Sequence, residues 1–141
     1  MDVWDARPAS KGRILFMDDE EPIRKVAQAM LSYLGYEMCL AEDGTAAIRK
    51  YQRRRFDVVI LDLTVRDGLG GLATLERLRL LDPGVVAIVS SGYSSDPVMA
   101  DYGRFGFLAK VPKPYTPEAL DEAIQPLLGI RSNTLSLRSR A

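Results

Sequence analysis

The 141-residue chain contains no histidine. That excludes a histidine-based catalytic triad, a histidine metal site and a histidine pH switch. It holds a single cysteine, Cys39, in an apolar run. No internal disulfide framework can exist, and the pattern fits a reducing, cytoplasmic compartment. There is no excess charge of either sign, since Lys+Arg and Asp+Glu stand at 19 each. Nothing therefore argues for direct nucleic-acid binding or a charged membrane surface. No apolar run approaches the roughly 20 residues that span a bilayer. The first residues, Met1 to Pro8, carry acids and no apolar h-region, so they do not read as a signal peptide.

The length suits one domain with a real core. Residues 1–12 read as an extension or cut linker, broken by Pro8, Ser10 and Gly12, with Trp4 an isolated aromatic. Short apolar runs then alternate with segments of helical period. Strands are expected at Arg13–Met17, Tyr36–Ala41, around Val58–Asp62, at Val85–Val89 and at Gly106–Val111. The first helix shows its period in Ile23, Val26, Ala27, Met30, Leu31 and Leu34, and Gly35 stops it. A second runs from Ala46 to about Arg54, and a third carries Leu72, Leu75 and Leu78. A fourth, from Asp96-Pro97, has poor periodicity. The last starts at Thr116-Pro117 and carries Leu120, Ala123, Ile124, Leu127 and Leu128. Residues 129–141 read as a flexible tail. Asp67 to Gly71 reads as a flexible glycine-rich loop, and its spacing does not match a dinucleotide-binding fingerprint.

Five strands alternating with five helices imply an α/β fold, a doubly wound parallel sheet with helices on both faces. All strand carboxyl ends then share one edge. That edge gathers Asp18 and Asp19 after strand one, Asp62 after strand three, Ser90 after strand four and Lys113 after strand five. For strand order 2-1-3-4-5 the switch point lies between strands one and three, where ligands of open α/β sheets bind. Three carboxylates in one place repel unless a cation intervenes. Mg²⁺ meets this need and leaves room for phosphate oxygens. Lys113 adds a point charge and Ser90 a hydroxyl. Together they describe a site that moves a phosphoryl group onto Asp62.

Asp18-Asp19-Glu20, Asp62, Ser90-Ser91-Gly92 and Lys113-Pro114, in this order and spacing, resemble the receiver domain of two-component response regulators. The resemblance covers about residues 13–128 and implies a flavodoxin-like (βα)5 fold. It implies that Asp62 accepts phosphate from the phosphohistidine of a kinase or phosphotransfer domain. Asp19, Asp62 and the carbonyl of Thr64 would hold Mg²⁺, with Asp18 acting mostly through water. Ser90 would be the switch hydroxyl, Lys113 would pair with the phosphoryl group, and the backbone of Ser91 would help hold it. Many receivers carry a Tyr or Phe three residues before the lysine, where this chain has Lys110. The segment Tyr102 to Tyr115 is most similar to receivers at the C-terminus of hybrid histidine kinases. Self-association as a homodimer is compatible with this reading. Two other readings stand beside it: a receiver-fold scaffold that works without phosphorylation, and a phosphatase of the haloacid-dehalogenase type. The phosphatase motif needs a second Asp where this chain has Thr64.

Overall fold

The computed structural model describes residues 10–131; Trp4, the first nine residues and the last ten lie outside them. Five strands are present: β1 (Arg13–Met17), β2 (Glu37–Ala41), β3 (Val58–Asp62), β4 (Ala87–Ser91) and β5 (Ala109–Pro112). They form one parallel sheet in the order β2-β1-β3-β4-β5. The helices are α1 (Glu21–Leu34), α2 (Gly44–Arg53), α3 (Gly71–Leu81), α4 (Pro97–Ala100) and α5 (Pro117–Ile124). The expected flavodoxin-like (βα)5 topology is therefore the observed one.

Residue alternation along the strands builds two cores. Leu15, Met17, Val59, Leu61, Ala87 and Val89 face α2, α3 and α4, meeting Ala47, Leu75, Leu78 and Met99. Ile14, Phe16, Val58, Ile60 and Ile88 face α1 and α5, meeting Ala27, Leu31, Leu120 and Ile124. β3 is the central strand, with all five residues buried, as its apolar composition requires. On α1 the core takes Ala27 and Leu31, whereas Val26 stays 45% exposed at the margin of the apolar stripe.

Several boundaries depart from expectation for local reasons. β4 begins and ends two residues later than Val85–Val89. Asp82 is the reason at its start: its carbonyl accepts from the Val85 N–H and its carboxylate from the Gly84 N–H, which holds Val85 in a turn. Ser90 and Ser91 consequently lie inside the strand rather than after it. β5 also starts later than Gly106. That glycine has φ +98 and closes a 3-10 turn over Tyr102–Phe105, and the Phe107 N–H is spent on Tyr102. The last helix stops at Ile124 and continues as a 3-10 turn, Gln125–Leu127, because Pro126 brings no N–H to an α-helical bond. Arg131 is pinned past that turn, with Nη1 2.5 Å from Asp82 Oδ2.

Candidate functional site

The parallel sheet brings the carboxyl ends of β1, β3, β4 and β5 to one edge. A cleft of about 340 Å³ opens there, lined by Asp19, Glu20, Asp62, Thr64, Arg66, Ser91, Gly92, Tyr93 and Lys113. Asp62 is the last residue of β3 and only 2% exposed. Its Oδ1 lies 3.2 Å from Lys113 Nζ, while its Oδ2 is buried with no hydrogen-bond partner. Carboxylate oxygens of Asp18, Asp19 and Asp62 come within 4.8 Å of one another.

The two aspartates after β1 divide the work. Asp18 is wholly buried. Its Oδ1 accepts from the Glu20 N–H at 2.9 Å, and its Oδ2 meets Lys113 Nζ at 2.6 Å. The Asp18 carbonyl takes Arg24 Nη1 at 2.8 Å. Asp19 instead turns into the cleft, where its Oδ2 accepts the Arg66 N–H at 3.2 Å.

Electrostatics follow from this packing. Burial, with the Asp18 charge adding to it, pushes Asp62 up to about 6, although Lys113 and the Thr64 N–H act in the opposite sense. Burial alone would lower Lys113, yet the carboxylates of Asp18 and Asp62 outweigh it and hold the ammonium above its ordinary value. A single cation thus stands between two buried acids.

The two serines face opposite ways. Ser91 shares the side of Ala87 and Val89 and lines the cleft, its Oγ accepting from the Tyr93 N–H at 3.0 Å. Ser90 shares the side of Ile88, is wholly buried, and its hydroxyl is hydrogen-bonded to the Tyr115 hydroxyl beneath the cleft. Strand alternation sets this division, since Ser91 follows Ala87 and Val89 on one face and Ser90 follows Ile88 on the other. The Ser90 side chain does not line the cleft, and its carbonyl accepts from the Leu63 N–H at 2.8 Å.

Two glycines of the glycine-rich loop answer a packing need. A Cβ on Gly71 would stand 2.7 Å from the Asp62 carbonyl oxygen, and one on Gly70 would stand 2.9 Å from that of Leu63. Glycine lets the first turn of α3 press against the end of β3. Sequence reading passed over Tyr115, Arg66 and Tyr93. Tyr93 and Arg66 follow Ser91 and Asp62 closely, and that proximity was the available signal.

An acidic, open cleft with one unpartnered carboxylate oxygen and a neighbouring ammonium is suited to a divalent cation and a phosphoryl group. Among the described residues no helix is long and apolar enough to cross a membrane. The family model described as "Response regulator receiver domain" matches residues 14–125. The chain is 26% identical over 121 residues to Sporulation initiation phosphotransferase F of Bacillus subtilis, covering 86% of this chain and 97% of that protein. It is 28% identical over 115 residues to Transcriptional regulatory protein ZraR of Escherichia coli, covering 82% of this chain but 26% of that longer protein. Among solved structures, a CheY-like receiver domain protein from Methanospirillum hungatei aligns with TM-score 0.76 and 28% identity, over 86% of this chain and 97% of that one. Response regulator protein TrrA from Thermotoga maritima, solved in complex with Mg(2+)-BeF, aligns with TM-score 0.73 and 29% identity, over 82% and 98%. The fold, the gathered strand-end residues and these matches together establish that the chain belongs to the response regulator receiver domain family and is a receiver of two-component phosphorelays.

Proposed function

We propose that Asp62 is the phosphoacceptor and that Lys113, Ser91 and an Mg²⁺ held by Asp19, Asp62 and the Thr64 carbonyl complete the site. One observation carries this: Asp62 Oδ2 is a buried carboxylate oxygen with no partner, beside an open cleft and an ammonium. Such an oxygen is costly to bury unless a ligand uses it. In the reaction, a carboxylate oxygen of Asp62 attacks the phosphorus of a donor phosphohistidine. The P–N bond breaks, its electron pair returns to the imidazole of the donor, and an acyl phosphate forms on Asp62. Lys113 meets the charge of the transferring group. Ser91, rather than Ser90, supplies the hydroxyl and backbone that face it, because its side chain lines the cleft. Asp18 holds Lys113 from behind. When bound, Mg²⁺ would neutralise charge shared between the carboxylates and the phosphoryl oxygens.

The donor is a histidine kinase or phosphotransfer domain, and the setting is cytoplasmic. Zero net charge supports a switch that works through protein partners or a second copy of itself, without direct nucleic-acid contact. Residues 13–128 form the receiver unit in this reading. The likeness of Tyr102 to Tyr115 to hybrid-kinase receivers supports a place beside a kinase core, which the sequence of the native gene would decide. The test is exposure to acetyl phosphate and Mg²⁺, followed by intact-mass measurement. A single base-labile phosphoryl adduct should form and should be lost in Asp62→Asn. An adduct that persists in that variant would overturn the assignment.

A further inference from the structure

The hydrogen bond between Ser90 and Tyr115 has no part in the chemistry above, yet it joins two elements that carry it. Ser90 is the register partner of Asp62. Tyr115 lies two residues after Lys113, in the turn that leads into α5 at the Thr116 cap. The Tyr115 ring stands edge-on to Phe16, with centroids 5.8 Å apart and planes at 81°, and Phe16 lies two residues before Asp18. One side chain therefore touches the neighbours of both carboxylates that hold the Lys113 ammonium. The hydroxyl pair is sealed, since Ser90 is 0% and Tyr115 7% exposed.

We propose that the Tyr115 hydroxyl is a positioning group for Lys113, acting through Ser90; this rests on the phosphoacceptor reading given above. Lysine presents its charge on a flexible four-carbon stem. The main chain of Lys113 is fixed to the sheet by its N–H, 3.0 Å from the Ser91 carbonyl. Beyond that bond the chain leaves β5, and the Ser90–Tyr115 pair ties the departing turn back to β4. Removing the Tyr115 hydroxyl while keeping the ring preserves the contact with Phe16 but leaves the Ser90 hydroxyl without its partner in a dry site. The turn then loses the restraint that places the ammonium against both acids. Phosphoryl transfer depends on such placement to a fraction of an ångström.

The experiment uses the full chain and measures the rate of phosphoryl uptake from acetyl phosphate by intact mass. Tyr115→Phe and Ser90→Ala should each slow uptake roughly fivefold, and the double variant should be no slower than either alone. Ser90→Thr, which keeps the hydroxyl, should restore the rate. Mg²⁺ affinity, measured by calorimetry, should stay within about twofold, because neither residue is a proposed metal ligand. A merely structural role would lower uptake and Mg²⁺ affinity together, and that result overturns the proposal. So does a Tyr115→Phe chain that takes phosphate at the parent rate. A parent chain that takes no phosphate at all would instead remove the phosphoacceptor reading on which the proposal rests.

Discussion

Lys113 Nζ stands 3.2 Å from Asp62 Oδ1. The same ammonium lies 2.6 Å from Asp18 Oδ2, so one positive charge serves two buried negative ones. Asp62 bears the deficit, and burial with the Asp18 charge raises it to about 6. An unfolded aspartate titrates at about 3.9. Between about pH 4 and pH 6 the folded, metal-free chain thus retains a proton that the unfolded chain has lost.

Stability contributed by this group should accordingly fall as pH rises through that window and stay low above it. Asp62→Asn removes the slope. At pH 7, in chelator, it should be more stable than the parent by about 2 kcal/mol, and the gap should close below about pH 4. Mg²⁺ should raise the urea midpoint of the parent and leave that of the variant almost unmoved. Urea melts across pH with and without Mg²⁺ measure both effects. A parent and variant with the same pH slope would contradict the raised Asp62.

At the opposite edge of the sheet the sign reverses. Asp82 Oδ2 accepts from the Tyr51 hydroxyl at 2.5 Å and lies 2.5 Å from Arg131 Nη1, whose guanidinium covers the Tyr51 ring at 5.5 Å from its centroid. Burial pushes Asp82 up, but the Tyr51 hydroxyl, the Gly84 N–H and Arg131 outweigh it and hold the carboxyl below its usual range. A lowered carboxyl lends stability above its unfolded value, and that stability drains away as pH falls through the folded one. Arg131→Ala should cost about 1–2 kcal/mol at pH 7, and less as pH falls below about 4. Thermal melts at pH 7 and pH 3 compare the two. Equal losses at both would mean that Arg131 acts by packing alone.

The sequence marked the charged corners of the site well. Asp62 ends a run of purely apolar strand residues, and Asp18 ends another, so a carboxylate at a buried strand end was visible without coordinates. The topology followed from the same alternation of period. Adjacent serines were a harder case. A strand places neighbours on opposite faces, and the sequence alone does not say which hydroxyl meets the cleft; it is Ser91 that lines it, while Ser90 turns to Tyr115. Tyr115 was hidden because a residue just past a Lys-Pro turn belongs to no periodic element. Gly71 was legible as glycine but not in its reason, since close approach between distant segments leaves no local trace.

That close approach gives the sharpest contrast between two glycines of the site. A Cβ at Gly71 would lie 2.7 Å from the Asp62 carbonyl oxygen, 3.1 Å from its carbon and 3.2 Å from the Leu61 carbonyl oxygen. All three are backbone atoms in the central strand and cannot swing aside. At Gly92, which lines the cleft, an added Cβ meets nothing within 4 Å. Alanine favours a helix over glycine by ~1 kcal/mol, so propensity alone would make Gly71→Ala stabilising. The clash should win, with a net loss of about 1–3 kcal/mol. Phosphoryl uptake should slow as well, because α3 would be forced away from the residue that accepts the group. Gly92→Ala should leave stability within about 0.5 kcal/mol of the parent. Denaturant melts of the two variants test this directly. A Gly71→Ala chain as stable as the Gly92→Ala chain would mean that α3 can shift outward at no cost, and the glycine would then have no packing role.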